Sequence, residues 1–495
     1  MAEVLSAHLS WRSGKQTRPL EPRSVYAESQ RLIKTAPPPL SVIEPVVVMP
    51  AVANQQLDLF DGPSEASLYH AADSRSYVAV CTQDSEGKFH QHCVKPGELA
   101  AYLAFMPLDD MNIWISQGEF SRPNRRIVNM TRMGLCFLDL DTYKSPAKAW
   151  TRDQVLAKIH ELCAGAGIPS PSLVIFSGQG YQVKWLLSSY LPREALVRWN
   201  IVQEQLVELF QPLGADPAAK DAARILRLIG TTNLKTGQKV EVVYAQACPQ
   251  GLPATADFEH LTKALFPHPR QRKTAKSSED APFKLVRSEA PSRQNKLIKG
   301  INTRVLAWDR LHDLRTLAQL RGGIGEGMRN TYLLVIACQM ALSGLIHPHN
   351  FKREVRTLQA EISSDPAWLR DRELLCSLQA RVEAHHRKEK VEFNGKLTTP
   401  IYTYRTSTII NLLAITEGEQ RQLKTLISGD LATERNTVRE RTKRRAAGVQ
   451  ERSEYLSKAQ ERRARIQELN AQGMTAKQIA EAVGVTTATV YNALK

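Results

Sequence analysis

Residues 134–141 read Gly-Leu-Cys-Phe-Leu-Asp-Leu-Asp, an apolar run that ends in two carboxylates one residue apart. Such a run predicts a strand, and a strand sends alternate side chains to one face, so Asp139 and Asp141 are expected to point the same way. Two like charges held that close repel unless a cation sits between them. A divalent metal meets that need, and oxygen ligands favour magnesium or manganese. Taken alone, the pair has a second reading: a strand running into a polar turn, with both aspartates solvated.

The residues that follow narrow the choice. Leu-Val-Ile-Phe at 173–176 predicts a short buried strand. Ser177, Gly178 and Gly180 mark a turn, and 182–187, opening on Gln182, predict a second strand. Glycines in such a turn let backbone amides approach a phosphate. Asp216 then precedes Arg224 and Arg227, and Lys235 closes the run 230–235. Three acids for metal, a glycine turn and several cations for triphosphate are the parts of metal-assisted phosphoryl transfer. Helical periodicity at 151–163 and 192–210 between these strands indicates an α+β domain.

In this order the motifs resemble the catalytic core of the archaeo-eukaryotic primase superfamily, in the form found in plasmid and phage replication proteins. Asp139 and Asp141 fall on that family's paired-acid motif, residues 177–182 on its nucleotide motif, and Asp216 with Arg224 and Arg227 on the third. Gln182 stands where the family usually has histidine, an uncharged group in place of a chargeable one. The resemblance spans roughly 78–244, with a second region at 313–345. There, Ile-Gly-Glu-Gly-Met-Arg-Asn at 324–330 is similar to the signature of the small helical domain that follows the core.

The resemblance implies a primase-like α+β catalytic domain with an RRM-like core, then helical domains. It implies a nucleotidyltransferase of the two-metal type, with Mg²⁺ or Mn²⁺ held by Asp139, Asp141 and Asp216. Nucleoside triphosphates would be held by Ser177, Gly178, Gly180, Gln182, Arg224, Arg227 and Lys235, and single-stranded DNA would be the template. The alternative is a catalytically idle relative, an initiator or regulator that only binds DNA; Gln182 favours it and the three acids oppose it.

At 495 residues, two to four domains are expected, and the formal net charge of +16 attracts polyanions. The seven cysteines are dispersed and none forms C-x-x-C, so no zinc ribbon is encoded and a reducing compartment is expected. No run approaches the ~20 apolar residues that span a bilayer, which predicts a soluble, cytoplasmic protein. No G-x4-G-K-[ST] occurs, so strand opening is expected from a host helicase.

Composition divides the chain into a poorly ordered tail (1–65), a catalytic domain (66–264), a linker rich in Pro, Lys, Arg and Ser (265–300), a helical domain (301–395), a basic helical region (396–470) and a helix-turn-helix (471–495). Within the tail, Gln56, Leu57, Asp58, Leu59 and Phe60 resemble the pentapeptide by which bacterial replication proteins dock on the β sliding clamp. Leu59 and Phe60 would fill an apolar pocket; otherwise they join the core. Residues 121–126 form a basic loop that either holds template or is a solvated turn. Arg435, Arg439, Arg441, Lys443, Arg444 and Arg445 present cations all round a helix, which suits a phosphate track on duplex DNA. At the end, Ile479, Ala480, Val483, Val490 and Leu494 predict a helix-turn-helix with Gly484 at its turn. Its recognition helix would begin at Thr486, Thr487, Thr489 and Tyr491. An ordinary helical hairpin is the competing reading.

Overall fold

The computed structural model describes residues 63–246, 253–266 and 293–495, apart from 85, 366–367, 369–371, 394 and 450. The clamp-like peptide at 56–60 and residues 267–292 of the expected linker lie outside the described residues. A 3-10 turn at Pro63–Leu68 leads to β1 (Val78–Gln83), β2 (Phe89–Val94), α1 (Pro96–Ala104), β3 (Asn112–Ser116) and β4 (Gly118–Phe120). Then come β5 (Met130–Leu140), α2 (Arg152–Ala166), β6 (Leu173–Phe176), β7 (Tyr181–Pro192) and α3 (Leu196–Leu209). Short strands β8 (Ile225–Arg227), β9 (Thr232–Asn233), β10 (Gln238–Lys239) and β11 (Glu241–Ala245), with helix α4 (Phe258–Leu265), complete the α+β region. One antiparallel sheet runs β11-β6-β7-β5-β4 and a second β2-β1-β3-β8.

The expected strand at 134–141 is the second half of β5. It reads as a continuous apolar run because both its faces are covered: Leu135, Cys136, Phe137 and Leu138 are all buried. Its edge beyond β4 needs other partners, since β4 pairs only as far as Met133. Trp199 of α3 donates its indole N–H to the Leu135 carbonyl (2.9 Å), and the Gln203 amide bonds both Phe137 backbone groups. Helix α2 starts as its sequence predicts, with Thr151 and Gln154 exchanging capping-box hydrogen bonds.

Two expected boundaries shift. Glu65, placed in the tail by composition, is fully buried and paired with Lys184 of β7, itself fully buried. One acidic residue in a Pro- and Ser-containing stretch carries no sign of a partner 119 residues away. Helix α5 (Arg293–Leu320) begins inside the stretch read as linker, whose basic composition also suits a helix.

After α5 come α6 (Arg329–Ser343), α7 (Pro348–Ile362), α8 (Arg372–His386), the hairpin β12 (Val391–Phe393)–β13 (Lys396–Thr398), α9 (Thr406–Leu412) and α10 (Glu417–Gln420). These helices hold the α+β region at several points, the turn 127–129 among them. The Arg315 guanidinium donates to the Val128 carbonyl and to Asn129 Oδ1, and Trp308 Nε1 donates to the Arg193 carbonyl (3.0 Å). The Glu354 carboxylate of α7 accepts the N–H groups of Ile127 and Val128, each at 3.2 Å.

Burial pushes the Glu354 carboxyl up to about 7. A carboxyl raised on folding stabilises the native state when protonated, and that contribution fades as pH climbs through the native value. Resistance to urea at this interface is therefore expected to rise as pH falls from 8 to 5, by about 3 kcal/mol at most. In Glu354→Gln this part of the pH profile should flatten.

The chain closes with α11 (Gly429–Ala446), α12 (Arg452–Ala471), α13 (Ala476–Val483) and α14 (Thr487–Leu494). Leu431 is the one buried residue of α11, and α12 buries only Ile466 and Leu469. Those two join Ile479, Ala480 and Val490 in a small core of their own. The helix-turn-helix is thus three-helical, and α12, assigned by sequence to the basic region, is its first helix. With two apolar contacts in twenty residues, α12 has almost no periodic signal. Among the described residues no helix is long and apolar enough to cross a membrane.

Candidate functional site

The end of β5 is held by a second segment rather than by a strand of the sheet. The Asp216 N–H donates to the Asp139 carbonyl (2.8 Å) and the Asp141 N–H to the Gly214 carbonyl (2.9 Å). Residues 214–216 thereby run antiparallel to 139–141, and the backbones of all three predicted acids lie side by side. Gly214 permits this approach: it has φ +78°, and a Cβ there would sit 2.7 Å from the Asp141 carbonyl. The turn 177–180 approaches from the other side, where a Cβ on Gly180 would come within 2.4 Å of the Leu140 carbonyl. The glycine was expected to serve a phosphate; here it lets two backbones touch, and the Gly180 N–H donates to Ser177 Oγ (3.3 Å). Gly178 packs against the Asn233 side chain.

Asp139 and Asp141 line one cleft of about 480 Å³, together with Ser177, Gly180, Gln182, Arg224 and Arg227. The Arg224 guanidinium bridges Asp139 Oδ2 (3.0 Å) and Asp216 Oδ2 (2.6 Å). Burial raises the Asp139 carboxyl, Arg224 opposes that shift, and the neighbouring Asp141 and Asp216 add to it. Asp216 Oδ1 also accepts the Ala218 N–H, while Asp141 Oδ2 pairs with Lys144 at 2.6 Å on the exposed side. Arg227 stacks on Trp114 and donates to Asn112 Oδ1 (2.7 Å). Gln182 is buried, facing Asp139 across the β5–β7 pair. Its amide donates to the Arg227 carbonyl (3.3 Å), and its Oε1 has no hydrogen-bond partner among the described residues. The unmet hydrogen-bonding capacity of this buried side chain is thus an acceptor's.

Lys235 is brought close in sequence but not to the cleft. It is exposed in the β9–β10 hairpin, which leans on the turn through Asn233 to the Ser177 carbonyl and Thr236 to the Gly178 carbonyl. Sequence reasoning passed over Trp114 and His349 and read Arg125 only within a basic loop; all three line the same cleft. Arg125 comes from the basic loop 121–126 and is fixed by the Ala223 carbonyl and Gln91 Oε1. His349, on α7, comes from the helical region, and no local pattern announces that contact.

The donor set bears directly on metal. Asp139 and Asp141 offer hard oxygen atoms suited to Mg²⁺ or Mn²⁺. Among the described residues, however, no three His, Cys, Asp or Glu side chains are placed to hold an ion together. Arg224 occupies the position between Asp139 and the third acid.

The basic helix α11 is less uniform than its sequence. The Arg435 guanidinium donates to the carbonyls of Leu423, Gln420 and Arg421, closing the preceding turn, and Arg445 pairs with Glu451. Arg439 donates to Asn436 Oδ1, and Arg441, Lys443 and Arg444 are exposed. In the helix-turn-helix, Thr486 caps α14 by accepting the Thr489 N–H, and Thr487 and Tyr491 are exposed.

Residues 457–495 match the family model described as a homeodomain-like domain. Over 334 residues the chain is 27% identical to a replication protein of Clostridium perfringens, covering 66% of this chain and 71% of that protein. Among solved structures, the AEP domain of the cyanophage S-2L primase-polymerase aligns at 15% identity and TM-score 0.27 over 38% of this chain and 89% of that one. Primase RepB′ aligns at 15% identity and TM-score 0.26 over 65% of this chain and 91% of its own. The chain is a relative of a replication protein, α+β in its first part and helical after it, that ends in a homeodomain-like helix-turn-helix.

Proposed function

We propose that this chain is a cytoplasmic plasmid or mobile-element replication protein that joins nucleotides on a single-stranded DNA template in a metal-dependent reaction. The observation that carries the reading is the meeting of Asp139 and Asp141 with Arg125, Arg224 and Arg227 in one cleft. Carboxylates beside cations suit a substrate that is itself a metal–triphosphate. Arg224 and Arg227 would bind the phosphates, with Ser177 and the turn at their edge, and Gln182 Oε1 would accept from a sugar hydroxyl or a water. Asp139 and Asp141 would hold Mg²⁺ or Mn²⁺, and Asp216 would join them once Arg224 leaves its Oδ2. The metal, when bound, would activate the attacking hydroxyl and offset the charge of departing pyrophosphate. Incorporation of labelled nucleotides on single-stranded template with Mg²⁺ or Mn²⁺ tests the proposal. No product with either ion or with either sugar type would overturn it.

A second reading has its own support. Arg224 neutralises Asp139 and Asp216 directly, and the Gln182 amide is engaged with backbone. Both suit an idle cleft in an initiator that acts by binding DNA. The same assay separates the two.

For partners, we propose duplex DNA at α11 and the helix-turn-helix, a host helicase, and the bacterial sliding clamp at Gln56, Leu57, Asp58, Leu59 and Phe60. Burying Leu59 and Phe60 would contribute ~3–5 kcal/mol before the cost of ordering the peptide. A peptide of residues 53–62 is expected to bind purified clamp with micromolar affinity, ~8 kcal/mol. Calorimetry should show the heat vanish in Leu59→Ala/Phe60→Ala; no heat from the native peptide at tens of micromolar would remove the clamp from the partners.

A further inference from the structure

We infer that the helix-turn-helix selects an A·T-rich major-groove site, read by thymine methyl groups and one adenine edge; this rests on the reading of α13 and α14 as a DNA-binding unit. Helix α14 turns Val490 into the small core, with Ala493 and Leu494 against it. At about 100° per residue, Thr487, Tyr491, Ala488 and Asn492 share a stripe about 140° wide that runs from about 60° off Val490 round to the far side. All four are exposed. None carries a charge.

That chemistry is selective. Guanine is read in the major groove chiefly by Arg or Lys bonding its O6 and N7, and this face has neither. Arg463 of α12, beside α14, points its guanidinium at the carbonyls of Asn492 and Ala493 (3.5 and 3.4 Å). Lys495 lies beyond the helix end. The Thr489 hydroxyl is held 2.9 Å from Thr486 Oγ1 in the cap, away from the reading stripe. The Thr487 and Tyr491 hydroxyls can bond either kind of pair, and the methyl groups of Thr487 and Ala488 suit the thymine C5-methyl. Asn492 can bond adenine N6 and N7 together. Affinity from charge comes from elsewhere: Lys477 on α13 is exposed and suits phosphate.

The helix is about 12 Å long, which spans about four base pairs. Binding-site selection with the full chain on random duplexes should enrich a run of about four A·T pairs. Replacing thymine by uracil within the selected run removes only the methyl and leaves the minor groove unchanged. Affinity should then fall about fivefold or more, and Ala488→Gly should blunt that sensitivity. Asn492→Ala should relax selection at one adenine by about tenfold. Guanine enriched in the run, or affinity indifferent to uracil, overturns the base assignment and leaves the helix-turn-helix reading standing. Duplex binding with no selected motif at all overturns both.

Discussion

Asp139→Ala should lower nucleotide incorporation at least about a hundredfold, ~2.7 kcal/mol of barrier, while duplex binding stays unchanged. The carboxylate stands at the last turn of a buried strand, opposite Gln182 and within 3.0 Å of Arg224. Its loss removes one carboxylate of the Asp139–Asp141 pair from the cleft and leaves Arg224 paired with Asp216 alone. The backbone there is fixed by main-chain bonds, Asp216 N–H to the Asp139 carbonyl and Asp141 N–H to the Gly214 carbonyl, which the substitution does not touch. Folding should therefore survive, and circular dichroism and binding to duplex DNA are the controls. Asp139→Asn, which keeps the shape and discards the charge, should be as inactive. Activity above about a tenth of the native value, a barrier change under ~1.4 kcal/mol, would remove Asp139 from the reaction.

Glu65→Ala should weaken the α+β region by about 3–5 kcal/mol, because it strands a buried charge. The Lys184 ammonium is fully buried, pairs with Glu65 and stacks over the Tyr69 ring at 4.9 Å. Glu65 also accepts from the Tyr69 hydroxyl (3.2 Å) and the Ile229 N–H (3.4 Å). Burial already pushes the Lys184 amine down, with Glu65 holding it up, so the lone variant should lose its proton or its fold. Hydrogen exchange at the β7 amides would report the loss as a matching fall in opening free energy. Glu65→Leu/Lys184→Met, which removes both charges, should recover most of it. Equal losses in the single and double variants would mean that packing, not the stranded charge, sets the cost.

The acids of the cleft were legible because the chemistry is local. Asp139 and Asp141 sit two apart at the end of an apolar run, and Asp216 is followed by Arg224 and Arg227 at short range. The strands around them were legible for the same reason. What was not legible depends on partners far along the chain. Gly214 fixes the register of Asp216 against Asp139, yet one glycine after a helix usually marks only a helix end. Arg125 and His349 reach the cleft from a loop and from the helical region. Lys235 shows the reverse error: closeness in sequence to the Gly230 turn put it among the phosphate ligands, and the β9–β10 hairpin carries it into solvent. Gln182 has its amide taken by the Arg227 carbonyl, 45 residues on, a partner that no local pattern announces. Polarity at 293–300 was taken for linker, and the stretch is helix; 452–471, read as part of a basic helical region, is helix but packs with the helix-turn-helix.

Leu431 is the sole buried residue of α11, and α12 buries nothing ahead of Ile466. A turn of helix inserted or deleted in this stretch changes a spacing by about 5.4 Å and disturbs no core. The small core beyond it shares no residue with the large one. Drift and recombination can therefore exchange or shift the helix-turn-helix without renegotiating the stability of the cleft. The two cores are free to change at separate rates.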